Sequence, residues 1–113
     1  MSNNQNADVA LAMLVDTIAA RRRESADKSY TRQLLDGGPA KCAKKLGEEA
    51  IEVVLAAVNE DDEAMKNEAA DLVYHLLVLL EARDIKFADV LDVLGGRMGV
   101  SGLEEKAARH GNS

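Results

Sequence analysis

The run from Pro39 to Val58, PAKCAKKLGEEAIEVVLAAV, decides the fold. A proline at its head suits the first turn of a helix, where the missing N–H has no partner to lose. Ala43, Leu46, Ala50, Val53, Val54 and Ala57 recur every three or four residues, the period of a helix with one buried stripe. This run predicts a long helix over 39–58. Asn59 to Asp62 reads as a turn, and a second long helix is predicted from Asp62 to Ala82. That helix begins amphipathic and becomes apolar all round after Asp71, so it must be covered on every side. In a chain of 113 residues the expected cover over Leu72 to Leu80 is a second subunit.

Upstream, Val9, Leu11, Ala12, Leu14, Val15 and Ile18 predict a helix from Asp8, as its N-cap, to about Arg23. Arg21, Arg22 and Arg23 suit its last turn, where the helix dipole favours cations. Residues 1–7 are polar and Asn-rich and are expected to be disordered. Glu24 to Ser29 reads as a connector, followed by a short helical turn over Tyr30 to Asp36, then Gly37 and Gly38. Downstream, Phe87, Val90, Leu91 and Leu94 predict a shorter helix from Lys86 to about Leu94, ended by Gly95, Gly96 and Gly99. Ser101 to His110 is a charged stretch with room for a final helical turn, and 111–113 a tail. The fold class is therefore all-α, a bundle of four to five helices in one domain over 8–110.

Composition agrees with this. Hydrophobic residues make up 47% of the chain and aromatics only 3%, so the apolar content is Ala, Leu and Val, which favours helices. A net charge of −6 argues against nucleic acid as a partner, because phosphate backbones demand a cationic surface. A single cysteine, Cys42, allows no internal disulfide and fits a reducing compartment; it reads as a small core residue. The N-terminus lacks the pattern of a signal peptide. The longest apolar run, Leu72 to Leu80, is far short of the ~20 residues that span a bilayer. A soluble, cytoplasmic protein is expected.

The chemistry lies in two acidic motifs, Glu48-Glu49-x-x-Glu52 and Glu68-x-x-Asp71. At ~100° per residue, Glu48, Glu49 and Glu52 share one face of their helix. Glu68 and Asp71 are neighbours across one turn of the next. A short turn makes the two helices antiparallel neighbours, so four or five carboxylates can converge between them. Such a cluster repels itself unless a cation compensates it. A donor set made only of oxygen suits Mg²⁺, or Mn²⁺ in its place, better than Zn²⁺. Acidic pairs also occur as solvated surface charge, and the residues alone leave both readings open.

The longer strings are more specific. Lys44-Lys45-Leu46-Gly47-Glu48-Glu49-Ala50-x-Glu52 and Glu68-Ala69-Ala70-Asp71-Leu72-x-Tyr74-His75-Leu76-Leu77 resemble the phosphoribosyl-ATP pyrophosphohydrolases, within the MazG-like all-α nucleotide pyrophosphatases. Ser29-Tyr30-Thr31-x-x-Leu34 and Ser101-Gly102-Leu103-Glu104-Glu105-Lys106-Ala107-x-Arg109 carry the same resemblance, which spans roughly residues 11–110. Gly95-Gly96 departs from it, where a continuing helix is expected. The resemblance implies a MazG-like bundle completed by a second subunit. It implies magnesium-dependent hydrolysis of phosphoribosyl-ATP to phosphoribosyl-AMP and pyrophosphate, the second step of histidine biosynthesis. Glu49, Glu52, Glu68 and Asp71 are then the expected metal ligands. Glu48 is an auxiliary ligand or the base that takes a proton from water, and the catalytic set is Glu48, Glu49 and Glu52. A pyrophosphatase for other nucleoside triphosphates shares this metal site, and a non-enzymatic helical dimerisation module is the reading without one.

Lys44 and Lys45, with Lys41, precede the acids by about a turn on the same face. They are read as phosphate ligands or as salt-bridge partners, Lys44 to Glu48 and Lys45 to Glu49. Lys28 and Arg32 flank Tyr30 and can bind phosphate or serve as surface charge. His75, one turn after Asp71, is expected to hold that carboxylate in place or to pack at a helix or subunit interface. Tyr74 is read as packing or interface rather than chemistry.

Overall fold

A computed structural model of the chain describes residues 3–98, with side chains from residue 6 onward. Five helices make up the described chain: α1 (Asn3–Arg21), α2 (Tyr30–Asp36), α3 (Gly38–Asn59), α4 (Asp62–Ala82) and α5 (Phe87–Arg97). Among the described residues there is no strand, as the all-α reading requires. The segment from Ser101 onward lies outside them.

The α3–α4 hairpin is the frame. Only Glu60 and Asp61 join the two helices. Glu60 closes α3, its N–H donating to Ala56 O at 3.0 Å. Asp61 then caps α4, its Oδ1 accepting from Ala64 N at 2.9 Å. Asp62 and Glu63 follow in the first turn, where the helix dipole favours negative charge. So short a link folds α4 back along α3, and the two pack together more extensively than any other pair of the described helices.

At the other end of α3 the chain must reverse within two glycines. Gly38 takes φ of 83°, which a side chain would resist, and Pro39 follows inside the first turn. Ser29 caps α2, accepting from Arg32 N at 3.1 Å. The wedge formed by α2 rests on both α3 and α4. Ile18 of α1, Leu34 of α2, Cys42 of α3, and Leu77 and Val78 of α4 form the buried core. Cys42 Sγ donates to Leu34 O at 3.2 Å, so it serves as the small core residue expected.

α4 ends in a Schellman motif. Ile85 N donates to Leu80 O at 2.9 Å and Asp84 N to Glu81 O at 3.1 Å, with Asp84 in the left-handed region at φ 57°. Arg22, just past α1, binds this end, reaching the Glu81 carboxylate and carbonyl, and Asp84 Oδ1 at 2.8 Å. Of the three arginines expected in the last turn of α1, Arg21 pairs with Glu24 at 2.5 Å and Arg22 ties α1 to α4.

Four sequence expectations change. First, α1 begins at Asn3, so Asp8 sits inside the helix rather than capping it; no Gly or Pro stands between them to stop it. Second, α5 runs through Gly95 and Gly96 to Arg97. Two glycines lower helix propensity by about 1 kcal/mol each, which does not force an end without a capping signal. Third, the stripe that α3 turns inward is displaced from the expected one. Cys42 and Ala56 are buried and Leu46, Ala50 and Val53 partly so, whereas Ala43, Val54 and Ala57 are exposed. Fourth, α4 after Asp71 is not bare: Leu77 and Val78 are buried, with His75, inside the chain's own core. A more exposed apolar face lies on α3, where Ile51 is 61%, Val54 61% and Val58 74% exposed, against 43% for Val73 of α4.

Candidate metal centre between the long helices

Hairpin geometry sets the site. Glu49 lies eleven residues before Glu60, and Asp71 ten residues after Asp61. At ~1.5 Å of rise per residue both stand roughly 16 Å from the turn, at the same level of antiparallel helices. The displaced α3 stripe turns Glu49 toward α4. Glu49, Glu68 and Asp71 each offer a carboxylate oxygen within 4.8 Å of the others. Glu49 and Glu68 are half-buried and Asp71 is exposed. These three are the expected ligands that the structure brings into one cluster.

Glu52, the fourth expected ligand, is exposed beside it. Its charge is nonetheless felt. Desolvation pushes the Glu68 carboxyl above its ordinary value of 4.5, and the charges of Glu52, Asp71, Glu49 and Glu60 push it further. Three hard oxygens at this spacing fit a divalent cation such as Mg²⁺ or Mn²⁺, whose charge would offset the mutual repulsion of the carboxylates. No sulfur or imidazole belongs to the triad, which fits these ions better than zinc.

Lys45 reaches the acids, with Nζ 3.7 Å from Glu48 Oε1 and 3.9 Å from Glu49 Oε1. The pairing read from spacing, Lys44 to Glu48, is thus taken by Lys45, because Lys44 is turned outward and exposed. Glu48 is half exposed at the border of the cluster. Lys28 is exposed in the α1–α2 connector. Arg32 is held elsewhere: Nε donates to Asp36 Oδ1 at 2.7 Å and Nη1 to the Arg22 and Glu24 carbonyls. With Arg22, Leu35, Asp36 and Ala82 it lines a small hollow. Ala82 is eleven residues beyond Asp71 on α4, roughly 16 Å along the helix. Arg32 therefore stands in the network that fastens the α1–α2 connector, away from the acids.

His75 is buried, and its Nε2 lies 3.9 Å from Glu49 Oε1 on the facing helix. Asp71, the carboxylate expected to be its partner, acts on it more weakly than Glu49. Burial holds the imidazole below its ordinary value of 6.5, against the opposing pull of Glu49. Sequence spacing had no means of finding the His75–Glu49 pair, because it crosses between helices. Tyr74 packs as read, its hydroxyl bonded to Thr31 Oγ1.

A hollow of about 590 Å³ lies on the opposite side of α4, bounded by Val15, Ile18, Leu77, Leu80 and Phe87. Its lining is mostly apolar and it holds no acid cluster. Glu81 and Asp84 line it too, but Arg22 already holds both.

The chain is all-α and carries, between antiparallel helices, an oxygen-only carboxylate triad that could hold a metal ion, flanked by a lysine, and its class is that of the all-α hydrolases acting on phosphoanhydrides. Comparison with known proteins makes the assignment particular. The family model for phosphoribosyl-ATP pyrophosphohydrolase matches residues 11–97, and the chain belongs to that family. It is 52% identical over 99 residues to the phosphoribosyl-ATP pyrophosphatase of Dinoroseobacter shibae, covering 88% of this chain and 97% of that protein. It is 55% identical over 96 residues to phosphoribosyl-ATP pyrophosphatase 1 of Bradyrhizobium diazoefficiens, covering 85% of this chain and 91% of that one. With the Nitrobacter winogradskyi enzyme of the same name it shares 53% over 100 residues.

Proposed function

We propose that this protein hydrolyses phosphoribosyl-ATP to phosphoribosyl-AMP and pyrophosphate, the second step of histidine biosynthesis, with Mg²⁺ held between α3 and α4. The supporting observation is the convergence of Glu49, Glu68 and Asp71 within 4.8 Å in a chain of this family. Glu52 stands beside them as a further ligand. Held by these carboxylates, the cation would supply positive charge to offset the charge that develops on the phosphate. Mn²⁺ can take its place.

The protein's own groups do the rest. Glu48, half exposed beside the triad, takes the proton of the attacking water. Lys45 rests against Glu48 and Glu49 and turns to the polyphosphate when it arrives. Lys44, exposed one position earlier, adds a second ammonium for the leaving pyrophosphate. Lys28 lies on the connector as a further phosphate contact. Arg32 contributes by fixing the connector that carries Lys28 and leads into Tyr30 at the start of α2.

The working form is a homo-oligomer, a dimer at least. On α3, Ile51, Val54, Leu55 and Val58 follow i, i+3, i+4, i+7 spacing and leave an apolar stripe in water. A second copy is the natural cover. Glu48 and Glu52 border the same stripe, so its partner also closes that edge of the site. Among the described residues no helix is long and apolar enough to cross a membrane, and the compartment we infer is the cytoplasm.

Pyrophosphate release from phosphoribosyl-ATP, compared with a panel of nucleoside triphosphates, tests the substrate. Preferred turnover of phosphoribosyl-ATP is expected. Faster turnover of ordinary or damaged triphosphates replaces this reading with that of a general nucleotide pyrophosphatase. No turnover of any nucleotide, with or without metal, leaves a dimerisation module.

A further inference from the structure

His75 has no task in the mechanism above, yet it is 6% exposed and stands against a proposed metal ligand. Its ring is bracketed. Tyr30 meets it edge to face at 6.2 Å and 89°, and Tyr74 at 5.0 Å and 76°. Tyr74 is itself held through its hydroxyl by Thr31 Oγ1. Thr31 is buried in the first turn of α2, a helix whose start is fixed by the Ser29 cap. Two aromatic rings from different elements, one of them pinned, leave the imidazole little freedom to turn.

Glu49 is the opposite case. It has three rotatable bonds, and its other neighbour is Lys45, a long side chain shared with Glu48. Lys45 and His75 both approach the same oxygen, Oε1, each at 3.9 Å. In a neutral imidazole the tautomer with the proton on Nε2 is the one that faces an acceptor here. A movement of about 1 Å by either side chain brings this pair to hydrogen-bond distance.

We propose that His75 is a positioning residue: held between Tyr30 and Tyr74, its Nε2–H holds Glu49 Oε1 and so presents Glu49 Oε2 to the cation shared with Glu68 and Asp71. The arrangement is the usual one of a buried donor orienting a metal-ligating carboxylate, here supplied by the facing helix. It rests on the metal centre proposed above. It also gives the Ser29-Tyr30-Thr31 segment a purpose, as the bracket that fixes the imidazole.

The test uses the full chain and Mn²⁺, with free ion counted by electron paramagnetic resonance. His75→Leu keeps the bulk and removes the N–H; His75→Gln restores a donor. Loss of an orienting partner costs about 10–100-fold in metal affinity or activity, so His75→Leu is expected to bind Mn²⁺ weaker by that factor, and His75→Gln to recover most of it. If His75 acts through Glu49, adding His75→Leu to Glu49→Gln costs nothing further. A histidine that only fills space gives the same penalty in both backgrounds, which overturns the proposal. The wild-type protein provides a readout independent of those variants. With two histidines in the chain, the ¹⁵N resonances of His75 and His110 can be told apart by labelling. Mg²⁺ is expected to shift the His75 Nε2 signal in the wild type and not in Glu49→Gln. A His75 signal indifferent to saturating Mg²⁺ overturns the proposal, while a wild type that binds neither Mn²⁺ nor Mg²⁺ overturns the metal centre itself.

Discussion

Glu68 carries the clearest electrostatic signature of the site. Its folded-state carboxyl titrates above 4.5 through desolvation and the surrounding acids. In the window just above 4.5 the unfolded chain has released this proton while the folded chain keeps it. The folded state binds more protons there, so this group lowers stability as pH rises through the window. Melting temperatures in EDTA are expected to carry that slope, and Glu68→Gln to remove it; an unchanged slope in the variant assigns it to other groups. If Glu68 is a ligand, saturating Mg²⁺ is expected to displace its proton, so metal affinity should weaken as pH falls through the same window. At the same scale, Lys44→Ala is expected to remove one charged phosphate contact, ~1.5–3 kcal/mol, visible mainly as a raised KM. A wild-type KM in that variant removes Lys44 from the site. The acids were legible in the sequence because helical spacing alone puts Glu48, Glu49 and Glu52 on one face and Glu68 beside Asp71. Which of them face inward was not. Glu49 is separated from Glu48 by one residue step, ~100°, and only the packing of α3 on α4 decides between them.

At the scale of elements, the hairpin could be read because its stop and start signals are local. Asp61 caps α4, and the α4 bounds Asp62–Ala82 agree with the bounds read from the chain. The bounds of α2, Tyr30–Asp36, agree as well. The ends of α1 and α5 could not be placed, because nothing forbids either helix from continuing: no breaker precedes Asp8, and Gly95-Gly96 weakens a helix without capping it. The C-terminal end of α4 offers a test of backbone against charge. Asp84 holds a left-handed conformation that costs a non-glycine residue roughly 1 kcal/mol. Its ion pair with Arg22 is exposed at 81% of the Asp84 side chain, and exposed pairs contribute ~0–1 kcal/mol. Arg22 retains its bonds to Glu81 when Asp84 is replaced. Asp84→Gly is therefore expected to leave the melting temperature unchanged or raise it by a few degrees. A fall of several degrees makes the Arg22–Asp84 pair the stronger effect.

At the scale of the whole molecule, α3 has apolar residues on two faces, and periodicity could not say which face is the chain's own core. The stripe through Cys42, Leu46, Val53 and Ala56 packs within the chain, and the stripe through Ile51, Val54, Leu55 and Val58 remains outside it. The apolar surface that suggests a covering subunit was expected on α4 over Leu72 to Leu80, and the more exposed apolar stripe is the one on α3. Val54→Glu together with Val58→Glu places two charges in that surface. The pair is expected to shift sedimentation toward a 12.2 kDa species and to lower turnover, with helicity retained. Wild-type sedimentation in the double variant moves the subunit contact to another face. The proposed activity itself stands on one claim, that the triad between α3 and α4 holds the cation needed for phosphoribosyl-ATP hydrolysis. Asp71→Asn keeps the size of the side chain and removes one charge from that triad. The most direct measurement is its kcat for phosphoribosyl-ATP across a Mg²⁺ titration, beside the wild type. Several kcal/mol of stabilisation of developing charge are at stake, so kcat is expected to fall by orders of magnitude and not to recover at saturating Mg²⁺. Near-normal kcat in Asp71→Asn contradicts the claim.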